Sequence, residues 1–122
     1  MMAVVEQVKN FTVISGDDGL TLPVMSIGGT GVISVVSNLV PKQVSDLCRA
    51  AAAGDFATAR RIHYELLPLI KVAFIETNPV PIKQAMNLCE LPAGPVRMPL
   101  CELQPANAEK LRAVLEKMGL VK

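Results

Sequence analysis

Only two segments of this chain have the pattern of a buried β-strand, and that small number limits the folds open to it. Segments 11–15 and 32–36 are short, rich in β-branched residues and bordered by glycine. One short helical pattern separates them, which predicts a βαβ unit with parallel strands. Two parallel strands alone leave unpaired sheet edges, which native folds cover or close. The pattern therefore predicts a piece of a larger α/β fold.

Helical patterns occupy most of the chain after the second strand-like segment. Apolar residues recur at helical spacing over four stretches, 41–54, 55–73, 80–91 and 106–118. Pro41 suits the first position of a helix, Asp55 suits a helix cap, and Pro68 predicts a kink. A short amphipathic stretch at 3–9 has the pattern of the end of another helix. The second half of the chain is thus expected to be helical.

Composition excludes several classes of function. The 122 residues are 51% hydrophobic and 19% charged, which favours a folded chain over a disordered one. A net charge of +1, with three Phe and one Tyr as the aromatic residues, argues against a nucleic-acid partner. Cys48, Cys89 and Cys101 contain no CxxC pair, so we expect reduced thiols. The sequence shows no leader pattern and no long apolar run, which predicts a cytoplasmic protein without a membrane partner.

Two motifs resemble functional sites but have simpler structural explanations. Asp17 and Asp18 form an adjacent carboxylate pair, which suggests either acid–base chemistry or the cap of the following helix. A helix cap with a solvated partner is the commoner arrangement, and adjacent residues in a turn point in different directions. Gly28, Gly29 and Gly31 end a helix and begin a strand, whereas a phosphate loop has the opposite order. We therefore expect a cap and a turn.

Histidine and serine give little support for metal or hydrolase chemistry. His63 is the only histidine, and no cysteine or second histidine lies three or four residues from it. Ser15, Ser34 and Ser37 have no local base. We predict no catalytic residue of a hydrolase, no metal and no cofactor.

Two longer runs resemble a known family. They are FTVISGDDGLTLPVMSIGGTGVISVVSNLVP at 11–41 and FIETNPVPIKQAMNL at 74–88. Both resemble the C-terminal part of dihydrodipicolinate synthase, also called 4-hydroxy-tetrahydrodipicolinate synthase. Related N-acetylneuraminate lyases share the architecture, but the GDD turn and the ETNPxP segment favour the synthase. The resemblance covers nearly the whole chain.

This resemblance implies an α/β fold that is the C-terminal portion of a TIM (β/α)8 barrel. The parallel strands 11–15 and 32–36 would be barrel strands seven and eight. Residues 1–53 would form the last two βα units, and 54–122 the helical extension, in one structural unit. In some members, the position of Ile27 lies in a contact between dimers, although a core position is the alternative.

The resemblance also implies an activity. Members condense pyruvate with aspartate semialdehyde through a Schiff-base lysine, in lysine and diaminopimelate biosynthesis. The backbone of the residues matching Gly16 and Ile33 borders the pyruvate pocket, so both are expected substrate-binding residues. No lysine of this chain matches the family's nucleophile, so we expect no catalytic residue here and no activity from the chain alone. The expected protein partner is a further copy or a missing N-terminal part.

Two other functions remain open from the sequence. One is a non-enzymatic, helix-rich oligomerising module whose exposed strand edges pair with another copy. The other is a flavodoxin-like domain, although that fold needs about five strands.

Overall fold

Six α-helices and two short 3-10 helices make up the regular structure of residues 1–121, the part that this computed structural model describes. The α-helices are α1 (Met2–Gln7), α2 (Thr21–Ser26), α3 (Pro41–Ala52), α4 (Phe56–Ala73), α5 (Val80–Leu88) and α6 (Pro105–Lys117). The 3-10 helices are Asp18–Leu20 and Val36–Asn38. None of the helices described is both long enough and apolar enough to cross a lipid bilayer.

The two predicted strands, 11–15 and 32–36, are wrong as strands. Within residues 1–121 the two segments share one isolated bridge, between Ser15 and Val32, and its direction is parallel. The second segment cannot continue as a strand because its last residue already belongs to the 3-10 helix Val36–Asn38. The two segments therefore lie side by side over a single residue pair.

The hydrogen bonds around the bridge explain why the pairing stops. Ser15 donates from its N–H to the Gly31 carbonyl, and the Ser15 carbonyl accepts from the N–H of Ile33, both at 2.8 Å. A continuous parallel ladder would next join the Val13 carbonyl to the N–H of Gly31. Thr30 donates to that carbonyl instead, at 2.9 Å. The register slips by one residue, and the ladder ends.

The first compact unit comprises Met1–Leu67. In it, α2 packs against α3, and α3 packs against the second 3-10 helix. Helix α3 begins at Pro41 as predicted, and its buried residues Val44, Leu47 and Ala51 repeat at helical spacing. Asp55 accepts a hydrogen bond from the N–H of Thr58 at 3.0 Å, which confirms it as the cap of α4.

The second compact unit begins at Pro68, inside α4. Helix α5 packs against α6, and the buried residues of these two helices are Val80, Pro81, Ile82, Ala85, Leu111 and Leu115. Helix α5 ends at Leu88 rather than at the predicted residue 91. Glu90 has a φ of +60°, and the N–H of Leu91 donates back to the Met86 carbonyl at 2.9 Å. This left-handed turn closes the helix.

Candidate functional site

Asp18 is a buried carboxylate that joins the ends of the two bridged segments. Its side chain is 3% exposed. One oxygen accepts from the Ser34 hydroxyl at 2.5 Å, and the other accepts from the N–H of Val35 at 2.8 Å and of Val36 at 3.4 Å. Three donors from residues 34–36 therefore converge on one carboxylate. This arrangement fixes the segment that follows Ile33.

Asp17 has a different role from its neighbour. Its exposed carboxylate accepts from the N–H of Gly19 at 2.7 Å and caps the 3-10 helix Asp18–Leu20. The predicted helix cap is confirmed for Asp17, but the predicted solvated partner is wrong, because Asp18 is buried and its carboxylate binds a segment 16 to 18 residues away. The two carboxylates have separate partners, so the acid–base pair does not form. The one sequence signal for the Asp18 contact was that Asp18 follows the strand-like segment 11–15, while Ser34 lies in the segment 32–36, which parallel pairing places beside it.

The hydroxyl groups near the bridge are engaged in local hydrogen bonds. Ser15 is fully buried, and its hydroxyl donates to the Asp17 carbonyl at 2.7 Å. Thr21 donates to the Asp18 carbonyl at 2.8 Å, and Ser37 donates to the Ser34 carbonyl at 3.1 Å. These bonds build the turns that follow the bridge, and each of these three hydroxyls donates to a backbone carbonyl rather than to a side-chain base.

Gly16 and Ile33 are brought together by the bridge, because each follows one of its two residues. Paired chains lie about 4.8 Å apart, so these two residues are neighbours at one end of the bridge. Both are exposed, Ile33 at 68%. A Cβ built on Gly16 would meet nothing within 4 Å. Within residues 1–121, the N–H and C=O of Gly16 and the C=O of Ile33 form no hydrogen bond. These backbone groups are open to a ligand.

The described lysines lie on the molecular surface. Five are exposed, namely Lys9, Lys42, Lys71, Lys110 and Lys117, and Lys83 is half-buried. A Schiff-base lysine is activated by desolvation or by a cationic neighbour. None of the six described lysines is buried, so none has the desolvated environment of an imine-forming amine.

The glycine-rich segment after α2 is a tight turn, as predicted. Gly28 has a φ of +102°, which side chains rarely adopt. A Cβ on Gly29 would lie 2.4 Å from a methyl carbon of Val24 and 2.8 Å from its carbonyl oxygen. The glycines therefore allow the chain to return closely over α2. Ile27, the last residue before this turn, is half-buried.

The remaining candidate residues show no chemical cluster. Cys48, Cys89 and Cys101 are free thiols, and burial raises the pKa of Cys48 and Cys89. His63 is buried on α4, where desolvation lowers its pKa. Among the residues described, no three His, Cys, Asp or Glu side chains are grouped to hold a metal ion.

Known proteins resemble this chain closely over nearly its whole length. A sequence model of the dihydrodipicolinate synthetase family matches residues 1–118. The 4-hydroxy-tetrahydrodipicolinate synthase of Hydrogenobaculum sp. (strain Y04AAS1) is 49% identical over 118 residues, which are 97% of this chain and 41% of that enzyme. The synthase of Methanocaldococcus jannaschii is 52% identical over 110 residues, which are 90% of this chain and 38% of that enzyme.

Solved structures agree with the sequence matches. The crystal structure of dihydrodipicolinate synthase from Aquifex aeolicus superposes with a TM-score of 0.93 at 49% identity, over 98% of this chain and 41% of that chain. The chain thus spans about two fifths of the length of the relatives it matches. These relatives are TIM-barrel enzymes, which confirms the prediction that the chain is a portion of such a barrel. The two predicted strands are not confirmed. The chain belongs to the dihydrodipicolinate synthetase family.

Proposed function

We propose that this chain forms part of a 4-hydroxy-tetrahydrodipicolinate synthase and borders its pyruvate pocket at Gly16 and Ile33. The observation that carries this proposal is the set of free backbone groups at the end of the Ser15–Val32 bridge. Active sites of (β/α)8 barrels lie at the C-terminal ends of their strands, and both residues follow a bridged residue there. The glycine leaves room for a ligand to approach the main chain.

The proposed reaction joins pyruvate to aspartate semialdehyde in lysine and diaminopimelate biosynthesis. Pyruvate condenses with a lysine amine and loses water to form a Schiff base. Its methyl group then loses a proton to give an enamine, whose terminal carbon attacks the aldehyde. The family resemblance implies that this lysine lies on a barrel strand without a counterpart in these 122 residues. We propose that Gly16 and Ile33 border the bound pyruvate, and that the amine comes from residues outside this sequence.

Asp18 is a positioning residue in this proposal. Its carboxylate holds Ser34, Val35 and Val36 and so fixes where the free carbonyl of Ile33 lies. Charge-assisted hydrogen bonds to a buried carboxylate are among the stronger ones in proteins. A neutral amide at position 18 would weaken these hydrogen bonds, although the side chain itself makes no contact with pyruvate in this proposal.

The experiment that tests this function joins the chain to the portion of the Hydrogenobaculum synthase that it does not match. We expect the joined protein to condense pyruvate with aspartate semialdehyde. Gly16→Ala should raise the KM for pyruvate because its methyl group enters the pocket. Gly31→Ala is the matched control, since a Cβ there also meets nothing within 4 Å but lies before the bridge. Equal KM values in the two variants of an active joined protein would contradict the assignment of Gly16.

The cellular and assembly aspects of this function are also proposals. We propose a cytoplasmic protein that acts as a homo-oligomer or with an N-terminal barrel portion, and Ile27 is a candidate contact residue. The boundary predicted after residue 53, between the last two βα units and the helical extension, stays a prediction. The non-enzymatic oligomerising module is not favoured, because the family match covers residues 1–118.

A further inference from the structure

A groove in the first compact unit lies between α2 and α4 and is separate from the residues proposed to border pyruvate. Its volume is about 520 Å³. Helix α2 lines it with Leu22, Pro23 and Ser26, and α4 lines it with residues between Phe56 and Tyr64. The proposed family function leaves this groove without a role.

The α4 side of the groove presents one cation without an acidic partner. Arg60, His63 and Tyr64 line it, and residues three and four positions apart are neighbours on a helix surface, with about 5–6 Å between their Cβ atoms. No acidic oxygen of the described residues lies within 4.0 Å of the Arg60 guanidinium. Arg61, the next residue, pairs with Glu65 at 2.8 Å. Arg60 is therefore free to bind an anion.

His63 lines the same groove and also has one buried, unsatisfied polar atom. The residue is 9% exposed, and its Nδ1 is buried with no hydrogen-bond partner in residues 1–121. The imidazole lies edge-on to the Tyr64 ring, with 5.8 Å between ring centroids. Buried polar atoms are nearly always hydrogen-bonded in folded proteins.

Charge and polarity narrow the class of ligand. Leu22, Pro23 and Phe56 give the groove an apolar wall, and Arg60 is the only Lys or Arg among its lining residues. Burial lowers the pKa of His63, so the imidazole adds no second positive charge at neutral pH. One guanidinium matches a single negative charge, and its planar donors fit a carboxylate.

We propose that this groove binds a small monocarboxylate with an apolar body. The carboxylate accepts hydrogen bonds from the Arg60 guanidinium and the Tyr64 hydroxyl, and it lies beside the His63 imidazole. The apolar body packs on Pro23 and Phe56. The site is distinct from the proposed pyruvate pocket, and its test does not require synthase activity.

Benzoate and its neutral analogue benzamide test the proposal on the whole chain. His63 is the only histidine, so the ¹⁵N resonances of a single imidazole report binding. We expect benzoate to shift these imidazole resonances saturably, and benzamide to shift them far less at equal concentration. Arg60→Gln should weaken benzoate binding about tenfold or more. Arg61→Gln, an exposed neighbour whose guanidinium pairs with Glu65, should leave it within about twofold.

Three results would overturn the proposal. One is an equal response to benzamide and benzoate, which would show that charge is not recognised. Another is an equal loss of benzoate affinity in the two arginine variants, provided that circular dichroism shows both variants to be folded. The third is tighter binding of inorganic phosphate than of benzoate, which would replace the monocarboxylate with a dianion.

Discussion

Position 18 shows how one side chain acquires a role that its local sequence does not indicate. An aspartate before a short helix is typical of a cap, and Asp17 has that role. Asp18 instead lies buried and accepts hydrogen bonds from Ser34, Val35 and Val36. Its burial depends on residues that only the folded chain brings near.

The stability of the fold should depend on the charge of Asp18. We expect Asp18→Asn to lower the free energy of unfolding by about 1–3 kcal/mol, because an amide accepts fewer and weaker hydrogen bonds from these donors. Urea denaturation followed by circular dichroism measures the change. Asp17→Asn is the matched control and should lower the free energy of unfolding less, because asparagine can keep the exposed cap hydrogen bond. A larger loss at position 17 than at position 18 would contradict the proposed role.

The pKa of His63 gives a second residue-level prediction. Burial lowers that pKa below its usual value of about 6.5, so the folded chain binds fewer protons there than the unfolded chain. Stability should therefore fall as the pH drops below about 6.5 and continue to fall until the folded imidazole is protonated. Urea midpoints measured between about pH 7.5 and 5 test this, since histidine titrates in that range.

His63→Gln is the control for the pH dependence. Glutamine does not titrate, so the variant should lose the part of the slope that lies just below pH 6.5, whatever its absolute stability. An unchanged slope in the variant would assign the pH dependence to other groups.

At the scale of secondary-structure elements, a carboxylate that is distant in the sequence stabilises the start of α6. Gln104, its N-cap residue, makes no side-chain cap bond. The Glu76 carboxylate instead accepts a hydrogen bond from the backbone N–H of Gln104 at 3.0 Å and another from the side-chain amide of Asn107 at 2.8 Å. The first turn of a helix has free N–H groups that favour such an acceptor. A tertiary contact therefore replaces a local cap.

Removal of this contact should destabilise the second compact unit. We expect Glu76→Ala to lower the free energy of unfolding by about 1–2 kcal/mol, the range for losing a cap or a hydrogen bond to a charged group. Hydrogen exchange of the α6 amides should rise with it. Glu109→Ala, at an exposed residue of the same helix, is the matched control and should have little effect. Equal exchange in both variants would contradict the role of Glu76.

At the scale of the whole molecule, family membership and the available side chains point to different conclusions about activity. Residues 1–118 match the dihydrodipicolinate synthetase family, yet the six described lysines are exposed or half-buried. The chain also spans only about two fifths of its relatives. We therefore expect the family's chemistry to need residues that these 122 do not include.

This expectation predicts the outcome of trapping with pyruvate and borohydride. A Schiff base on a lysine would be reduced to a stable amine, and the mass of the chain would rise by the reduced pyruvate group. We expect no such adduct on the chain alone, because none of the six described lysines is buried, and an imine-forming lysine needs desolvation or a cationic neighbour. The protein joined to the barrel portion of a relative is the positive control. An adduct on the chain alone, located by peptide mapping, would contradict the prediction.

The sequence by itself determined the α-helices in outline and the family, because helical periodicity, caps such as Asp55 and runs such as GDDG are local features. It also determined the parallel direction of 11–15 and 32–36, but not the extent of their pairing. Tertiary structure decided that extent, because one register slip at Thr30 and the 3-10 helix Val36–Asn38 leave a single bridge. It likewise decided the burial of Asp18 and the α2–α4 groove, since these depend on contacts between residues far apart in the chain, which local patterns do not encode.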